Sequence, residues 1–175
     1  TWYSAADGSL VEVSAEFELY GGPDAVNVAR IAGGPRGFAI AGNRKAGAAV
    51  WRSPDATDFD LLEGAPELAI DDRGRTVAED VAATERGWLL VGALTRPGRI
   101  DRDPMAWTSP DGAAWHRVPG PATDAYEQFQ RVVLAEGVPF AVGLRGPVFG
   151  AWRLAGDVWQ DAGGFGRTDG PTAWV

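Results

Sequence analysis

The chain has no cysteine, one histidine (His116) and one lysine (Lys45) among its 175 residues. Without cysteine there is no disulfide and no thiolate chemistry, so the redox state of the compartment cannot be read from the sequence. A single histidine disfavours a zinc site and a Ser-His-Asp triad. His116 lies between Trp115 and Arg117, and we expect it on the surface of an outer strand.

Long apolar runs and positive charge are also scarce. No apolar run approaches the ~18 residues of a membrane span, and the net charge is −8. An acidic chain of this kind is not expected to bind nucleic acid or an anionic membrane. The Gly-rich segment 32–37 does not fit a dinucleotide-binding motif and is expected to be a turn, so no cofactor is predicted.

The bias toward Arg, Ala and Gly is typical of a high-GC bacterium. We expect a secreted or cell-surface protein, although no signal peptide is visible.

Glycine and tryptophan, by contrast, are plentiful, with 24 and 8 residues. In the segment from Trp107 to Trp115, two tryptophans eight residues apart flank a Pro-Asp-Gly turn. Each of the three turn residues favours a tight turn for its own reason. The pattern recurs with fewer of its residues in the segments Trp51–Phe59, Trp2–Gly8 and Trp152–Trp159.

Two further sets of apolar segments precede the tryptophans at the same spacing. One set ends in glycines 50 and 51 residues apart: Phe38–Gly42, Trp88–Gly92 and Phe140–Gly143. The other comprises Val26–Ile31, Val77–Val81 and Phe129–Val133. Each unit of about 50 residues thus holds four short apolar runs, which we label strands A to D. A period of ~40–50 residues with four strands per unit is typical of a β-propeller blade.

The sequence therefore predicts an all-β fold, a β-propeller segment of four-stranded antiparallel blades that fills residues 1–175. We expect about three and a half blades, in a ring of about six to eight that is completed by further blades or by another chain. The predicted units are a partial blade at 1–14, blades at 24–62, 75–119 and 128–161, and the start of a further blade at 172–175. The segment Arg75–Ala83 also fits a helix, but its alignment with the other A strands favours a strand.

The turn motif resembles the Asp boxes, or bacterial neuraminidase repeats, of sialidase-like propellers. Ser109–Trp115 looks like that box with one residue fewer before the glycine, and Ser53-Pro54-Asp55 keeps its front half. The resemblance implies that the boxes lie on the C–D turns, opposite the ligand face, and are structural. The structural repeat residues are Trp51, Ser53, Asp55, Trp107, Ser109, Asp111, Gly112, Trp115 and Trp152. Trp88 and Trp159 are further candidates for the core, whereas Trp174 is expected to be exposed.

The same resemblance implies that the B–C and D–A loops line the ligand face. The chain is irregular there: fifteen residues separate Gly92 from Trp107, against nine in the other two units. Loop insertions on a rigid scaffold are where function tends to lie. Arg99 or Arg102 could bind a carboxylate bidentately, although the insertion could instead be a solvated loop whose charges neutralise each other. The candidate ligand-binding residues are Arg96, Arg99, Asp101, Arg102, Asp103, Asp72, Arg73, Asp124 and Tyr126.

No catalytic residue is assigned. Carboxylates of two D–A loops could act as general acid and base, or they could form a solvated acidic rim. The Arg-Ile-Pro segment of sialidases is missing, and Arg99-Ile100-Asp101 replaces it poorly. Tyr126 and Glu127 are adjacent, so on an extended strand they point to opposite faces and do not form the family's Tyr–Glu pair. The acidic residues in 71–72 and 101–103 match no known calcium loop, so no metal is predicted.

The function predicted from the sequence is that of a non-catalytic propeller scaffold or binding module. Its B–C and D–A loops would be presented to a glycan, peptide or protein partner. The first alternative is a sialidase-like glycoside hydrolase with catalytic residues partly outside this segment. The second is an assembly factor that binds a basic partner through the acidic surface.

Overall fold

A computed structural model of the protein describes residues 2–168, 170 and 173–175. One position of the predicted further blade, Thr172, lies outside the described residues. The strands are β1 (Trp2–Ser4), β2 (Leu10–Glu12), β3 (Ala25–Gly34), β4 (Gly37–Arg44), β5 (Gly47–Ser53), β6 (Asp60–Leu62), β7 (Arg75–Thr84), β8 (Gly87–Thr95), β9 (Asp103–Ser109), β10 (His116–Pro119), β11 (Glu127–Ala135), β12 (Val138–Arg145), β13 (Val148–Ala155) and β14 (Val158–Phe165). One short helix, α1 (Phe17–Tyr20), precedes β3. In the described part of the chain, no helix has the length and apolar character needed to cross a membrane.

Twelve of the strands form three antiparallel sheets of four, each in the order of the sequence. We call them blade 1 (β3–β6), blade 2 (β7–β10) and blade 3 (β11–β14); β1 and β2 pair separately. The predicted all-β architecture of four-stranded antiparallel blades is confirmed. The segment Arg75–Ala83 lies in β7 and pairs with β8, so the strand interpretation was correct. The size of the complete ring stays a prediction.

The blades stack through alternating strand residues, because successive side chains point to opposite faces of a sheet. One core cluster joins small residues of blade 1, such as Ala41 and Val50, to Trp88 and Trp107 of blade 2. A second joins aliphatic residues of blade 2 to Trp152 and Trp159 of blade 3, and a third lies on the outer face of blade 1 around Trp51. Trp51, Trp107 and Trp152 are at most 1% exposed, whereas Trp174 is 55% exposed.

The repeated glycines mark a close approach between strands A and B. We call the first strand of each blade, β3, β7 or β11, its inner strand. Each inner strand carries a β-bulge at the same point, which lies between Ala78 and Asp80 in β7 and has counterparts in β3 and β11. A β-carbon on Gly92 would collide with the carbonyl oxygen of Val77, and Gly42 and Gly143 face the same obstacle. Only glycine fits beside a bulged strand at this distance, which explains why the residue recurs.

Polar side chains join one inner strand to the next. The amide of Asn43 in blade 1 donates to the carbonyl of Ala78 in blade 2 and accepts from the Ala78 N–H, both at 2.8 Å. Asp80 in blade 2 accepts the Val132 N–H of blade 3 at 3.0 Å and its neighbour's N–H, that of Val81, at 2.8 Å. These bonds fix the inner strands in register where the blades converge.

The predicted Asp boxes lie on the C–D turns, and their polar atoms bond the turn backbone. Ser109 Oγ accepts the Gly112 N–H at 2.7 Å, and Asp111 Oδ1 accepts the N–H groups of Ala113 and Ala114 at 2.8 and 3.1 Å. These bonds hold the pKa of Asp111 below its usual value. Ser53 and Asp55 bond their own turn in the same way. The structural role predicted for the boxes stays a prediction, and these bonds support it.

Candidate functional site

The B–C and D–A loops meet at one rim of the blades. The Lys45 N–H donates to Asp24 O at 2.9 Å, and the Glu127 N–H donates to Arg102 O at 3.0 Å, so each B–C loop is tied to a D–A segment. Two buried tryptophans also hold D–A segments by hydrogen bonds: Trp51 Nε1 donates to Leu19 O, and Trp107 Nε1 donates to Glu67 O. We call this rim the loop face; it comprises residues 13–24, 45–46, 63–74, 96–102, 120–126 and 146–147.

Most charges of the long B–C loop are paired within it. Arg96 Nε donates to Asp103, and Arg99 forms an ion pair with Asp101. The pKa of Asp101 is lowered, chiefly by its hydrogen bond to Arg99. Asp124, on the next D–A loop, lies 3.9 Å from Arg99 and is exposed to solvent. These five predicted ligand-binding residues are therefore largely engaged with one another.

Two other predicted residues lie in a separate group on the loop between blades 1 and 2. Arg73 pairs with Asp71, and this hydrogen bond is the main reason that the pKa of Asp71 is low. Arg117, nearly buried, donates to Glu67 O at 2.8 Å and lies 3.3 Å from Asp71. Asp72 is exposed. The arrangement ties the loop to β10.

Arg102 and Tyr126 are brought together, with two residues that the sequence did not single out. Arg102 Nη1 donates to Gln128 Oε1 at 2.7 Å and lies 3.4 Å from Glu79 Oε1. Tyr126 donates its hydroxyl to Gln128 Oε1 at 3.2 Å, and its ring centroid is 5.9 Å from Arg102 Cζ. We call Glu79, Arg102, Tyr126 and Gln128 the Arg102 cluster.

The fold explains why these four side chains converge. Glu79 is the bulged residue of β7, whereas Tyr126 and Gln128 belong to the start of blade 3 and Arg102 ends the long B–C loop of blade 2. The cluster therefore bridges two blades at the loop face. The Glu79 side chain is 8% exposed, but the Arg102 side chain is 30% exposed, so part of Arg102 is accessible to a ligand.

Burial governs the titration of the cluster. It raises the pKa of Glu79, and the positive charges of Arg102 and Arg131 only partly offset this effect. Burial also raises the pKa of Tyr126, so the phenol stays neutral at neutral pH. Glu127, the residue next to Tyr126, is buried and accepts the Thr123 N–H at 2.7 Å. The Arg102 cluster thus contains a single carboxyl group, that of Glu79, whose ionisation is disfavoured by burial.

Glu79 makes the stability of the protein depend on pH in a definite direction. Because its folded-state pKa is raised, its ionisation disfavours folding, and the associated stability is lost as the pH rises through the folded pKa. We expect the melting temperature of Glu79→Gln, relative to the unmodified chain, to increase between pH 4.5 and neutrality. Thermal melts at several pH values would measure this.

The matched control is Glu85→Gln, because Glu85 is an exposed glutamate in the same blade. Its melting temperature relative to the unmodified chain should not vary over that pH range. A Glu79→Gln difference that stays flat with pH, or that falls, would show that the Glu79 carboxyl is not destabilised by burial.

Glu79 was missed because the alternation of side chains along a strand does not give the direction of a residue at a bulge. Gln128, which pairs regularly with Leu144, lies one residue before the predicted strand Phe129–Val133. The available signal was the consecutive Glu79-Asp80 pair inside an otherwise apolar strand. Burial of two carboxylates at one point of an inner strand requires specific partners. Within the described residues, no group of three acidic or histidine side chains could hold a metal ion.

Comparison with known proteins gives a match of fold. No family model matches the chain, and no curated protein matches it. Among solved structures, the chain is similar to a GH32 β-fructofuranosidase of Bombyx mori, a mutant in complex with sucrose. The TM-score is 0.56 at 12% identity, over 82% of this chain and 36% of that one. The chain therefore spans about a third of that enzyme's length, and an identity this low shows the β-propeller fold alone.

Proposed function

We propose that the chain is a carbohydrate-binding part of a β-propeller that acts without catalysis, and that the sugar contacts the Arg102 cluster. The observation that carries the proposal is the partly exposed side chain of Arg102, whose guanidinium is held between Glu79 and Gln128 beside the ring of Tyr126. The proposal includes membership of the sialidase-like Asp-box propellers, which the turn hydrogen bonds support. It also includes a secreted or cell-surface location, where a glycan would be met.

The chemistry of the cluster suits sugar hydroxyl groups, each of which both donates and accepts. Arg102 supplies donors, whereas the buried Glu79 and Gln128 side chains hold its guanidinium in place. The ring of Tyr126 offers an apolar surface for the C–H face of a pyranose or furanose. The charges of Arg102 and Glu79 cancel, which favours a neutral sugar over an acidic one. The sucrose bound by the fold neighbour agrees with a carbohydrate ligand.

A catalytic role has less support in these residues. A glycosidase of the usual kind needs two carboxyl groups across the scissile bond, and the Arg102 cluster supplies one. A tyrosine nucleophile needs a lowered pKa or an adjacent base, whereas the pKa of Tyr126 is raised and its hydroxyl donates to an amide. A raised pKa, as found for Glu79, is a property of general acids. For this reason a glycoside hydrolase is the second candidate function.

The proposal predicts that Arg102→Gln weakens glycan binding by at least about tenfold, because one charge-assisted hydrogen bond contributes about 1.5–3 kcal/mol. A glycan array that includes sucrose would select the ligand, and calorimetry would give its affinity. Gln is chosen because it preserves much of the volume of arginine while it removes the charge and the fork of donors.

The control is Arg36→Gln, which removes an exposed arginine from a turn of blade 1 far along the chain from the Arg102 cluster. Its affinity should match that of the unmodified chain. Absence of binding to every glycan, or equal affinity of Arg102→Gln, would contradict the proposal. Hydrolysis of a bound glycan that Glu79→Gln abolishes would favour the second candidate instead.

A further inference from the structure

Glu127, the first residue of β11, lies between Tyr126 and Gln128 of the Arg102 cluster but is not a member of it. It is 2% exposed, and a carboxylate buried to this degree requires a specific partner. Its Oε2 atom accepts the Thr123 N–H at 2.7 Å. The bond spans four residues of the chain, and the segment that it holds carries Tyr126.

The main chain around Glu127 holds the other side of the same site. The Glu127 N–H donates to the carbonyl of Arg102 at 3.0 Å, which ties the end of the long B–C loop to β11. The carbonyl of Tyr126 accepts the Gly146 N–H at 2.9 Å. One residue therefore connects the two loops that supply Arg102 and Tyr126.

Blade 2 has a polar anchor at the same register position. Thr76 in β7 and Glu127 in β11 each pair with the residue two positions after the repeated glycine of strand B. The Thr76 hydroxyl donates to the carbonyl of Leu68 in the D–A segment, and it accepts the Ala48 N–H of blade 1 at 3.0 Å. At both boundaries, this position thus links a D–A segment to the preceding blade.

The two anchors differ in length, in charge and in what they hold. Thr76 holds segment 63–74, which supplies no member of the Arg102 cluster. Glu127 holds the segment that ends in Tyr126, and its carboxylate reaches further from the strand than a hydroxyl does. A hydrogen bond from an N–H to a carboxylate is also stronger than one between neutral groups. The stronger anchor therefore lies at the boundary that carries the Arg102 cluster.

We propose that Glu127 is a positioning residue of the glycan site, which holds segment 123–126 and the end of the B–C loop so that Tyr126 lies beside Arg102. This inference rests on the proposed function. Glu127 does not itself contact the sugar. Because a ligand binds only the fraction of molecules in which the site is arranged, loss of the anchor lowers the apparent affinity by that fraction. A bound glycan stabilises the anchor in return.

The test is Glu127→Ala, with sucrose or the tightest-binding glycan of the array as the probe. We expect the affinity to fall by about three- to tenfold. Hydrogen exchange at the Thr123 amide should accelerate by at least about tenfold, since the amide loses a charged acceptor. Glu127→Asp, whose carboxylate is one methylene shorter, allows the same comparison if the alanine variant does not fold.

Tyr126 provides a measurement that needs no ligand. Burial raises the pKa of its phenol, so release of the segment should lower that pKa toward the ordinary value of a tyrosine. Titration of the ring signals by NMR, assigned with Tyr126→Phe, would measure the change. A purely structural role of Glu127 would lower the melting temperature of Glu127→Ala but leave this pKa and the glycan affinity unchanged.

Two variants serve as controls. Glu127→Gln keeps an oxygen that accepts the Thr123 N–H, so it should retain the Tyr126 pKa and bind the probe within about twofold of the unmodified chain. Thr76→Val removes the anchor of blade 2 with little change in shape. It should lower the melting temperature without a change in the glycan affinity or the Tyr126 pKa.

The inference is overturned if Glu127→Ala leaves the Tyr126 pKa unchanged, if Thr76→Val changes that pKa as much, or if Glu127→Ala binds the probe as well as Glu127→Gln does. Failure of the unmodified chain to bind any glycan would count against the proposed function alone. In that case exchange at Thr123 and the titration of Tyr126 still decide whether Glu127 positions the cluster.

Discussion

Trp107→Ala is expected to lower the free energy of unfolding by about 3–5 kcal/mol, the range measured for truncation of a buried aromatic side chain. Trp107 is fully buried at the boundary of blades 1 and 2. Its indole N–H also donates to Glu67 O at 2.8 Å, so the substitution leaves both a cavity and a carbonyl without its donor. Urea unfolding monitored by circular dichroism would measure the loss.

Two variants separate the causes of that loss. Trp107→Phe keeps most of the apolar volume but removes the N–H, so we expect it to lower the free energy of unfolding by about 1–2 kcal/mol. Trp2→Ala truncates a largely exposed tryptophan and should change the stability by about 0.5 kcal/mol or less. An unfolding curve for Trp107→Ala that coincides with that of Trp2→Ala would contradict the placement of Trp107 in the core.

Asp80→Ala is expected to lower the free energy of unfolding by about 2–4 kcal/mol, because a buried donor without an acceptor costs about 1–3 kcal/mol and two donors are affected. Asp80 is buried and accepts the N–H groups of Val81 and Val132. The second bond crosses from blade 2 to blade 3. Hydrogen exchange at the Val132 amide should accelerate in the variant, in addition to the shift in urea midpoint.

The isosteric variant Asp80→Asn keeps one acceptor oxygen, and we expect about half of the destabilisation. Asp124→Ala removes an exposed aspartate and serves as the surface control. Unchanged protection of the Val132 amide in Asp80→Ala would show that the bond between the blades does not hold the inner strands.

The sequence was sufficient to predict the repeated blades, but not the positions at which single residues depart from the repeat. Trp51, Trp107 and Trp152 could be aligned because large aromatics dominate the burial between blades, and a sheet stacked on both faces needs them in register. The glycines that end strand B were visible for a different reason, since a close backbone approach admits no side chain. The strand β7 was ambiguous on its own, and only its alignment with the other units resolved it.

The Arg102 cluster could be predicted in part. Arg102 and Tyr126 lie in loops whose length and charge were visible in the sequence, but Glu79 points toward them because of a bulge. A register shift of one residue reverses the side-chain direction, and no local pattern encoded it.

The hydrogen bonds from Trp51 and Trp107 to Leu19 O and Glu67 O bear on how such a surface can evolve. The acceptor is a main-chain oxygen, which every amino acid provides, so the anchor makes no demand on side-chain identity. A change of side chain at an anchored position leaves the main-chain acceptor of this hydrogen bond in place. New specificities can therefore arise on these segments without loss of their attachment to the scaffold.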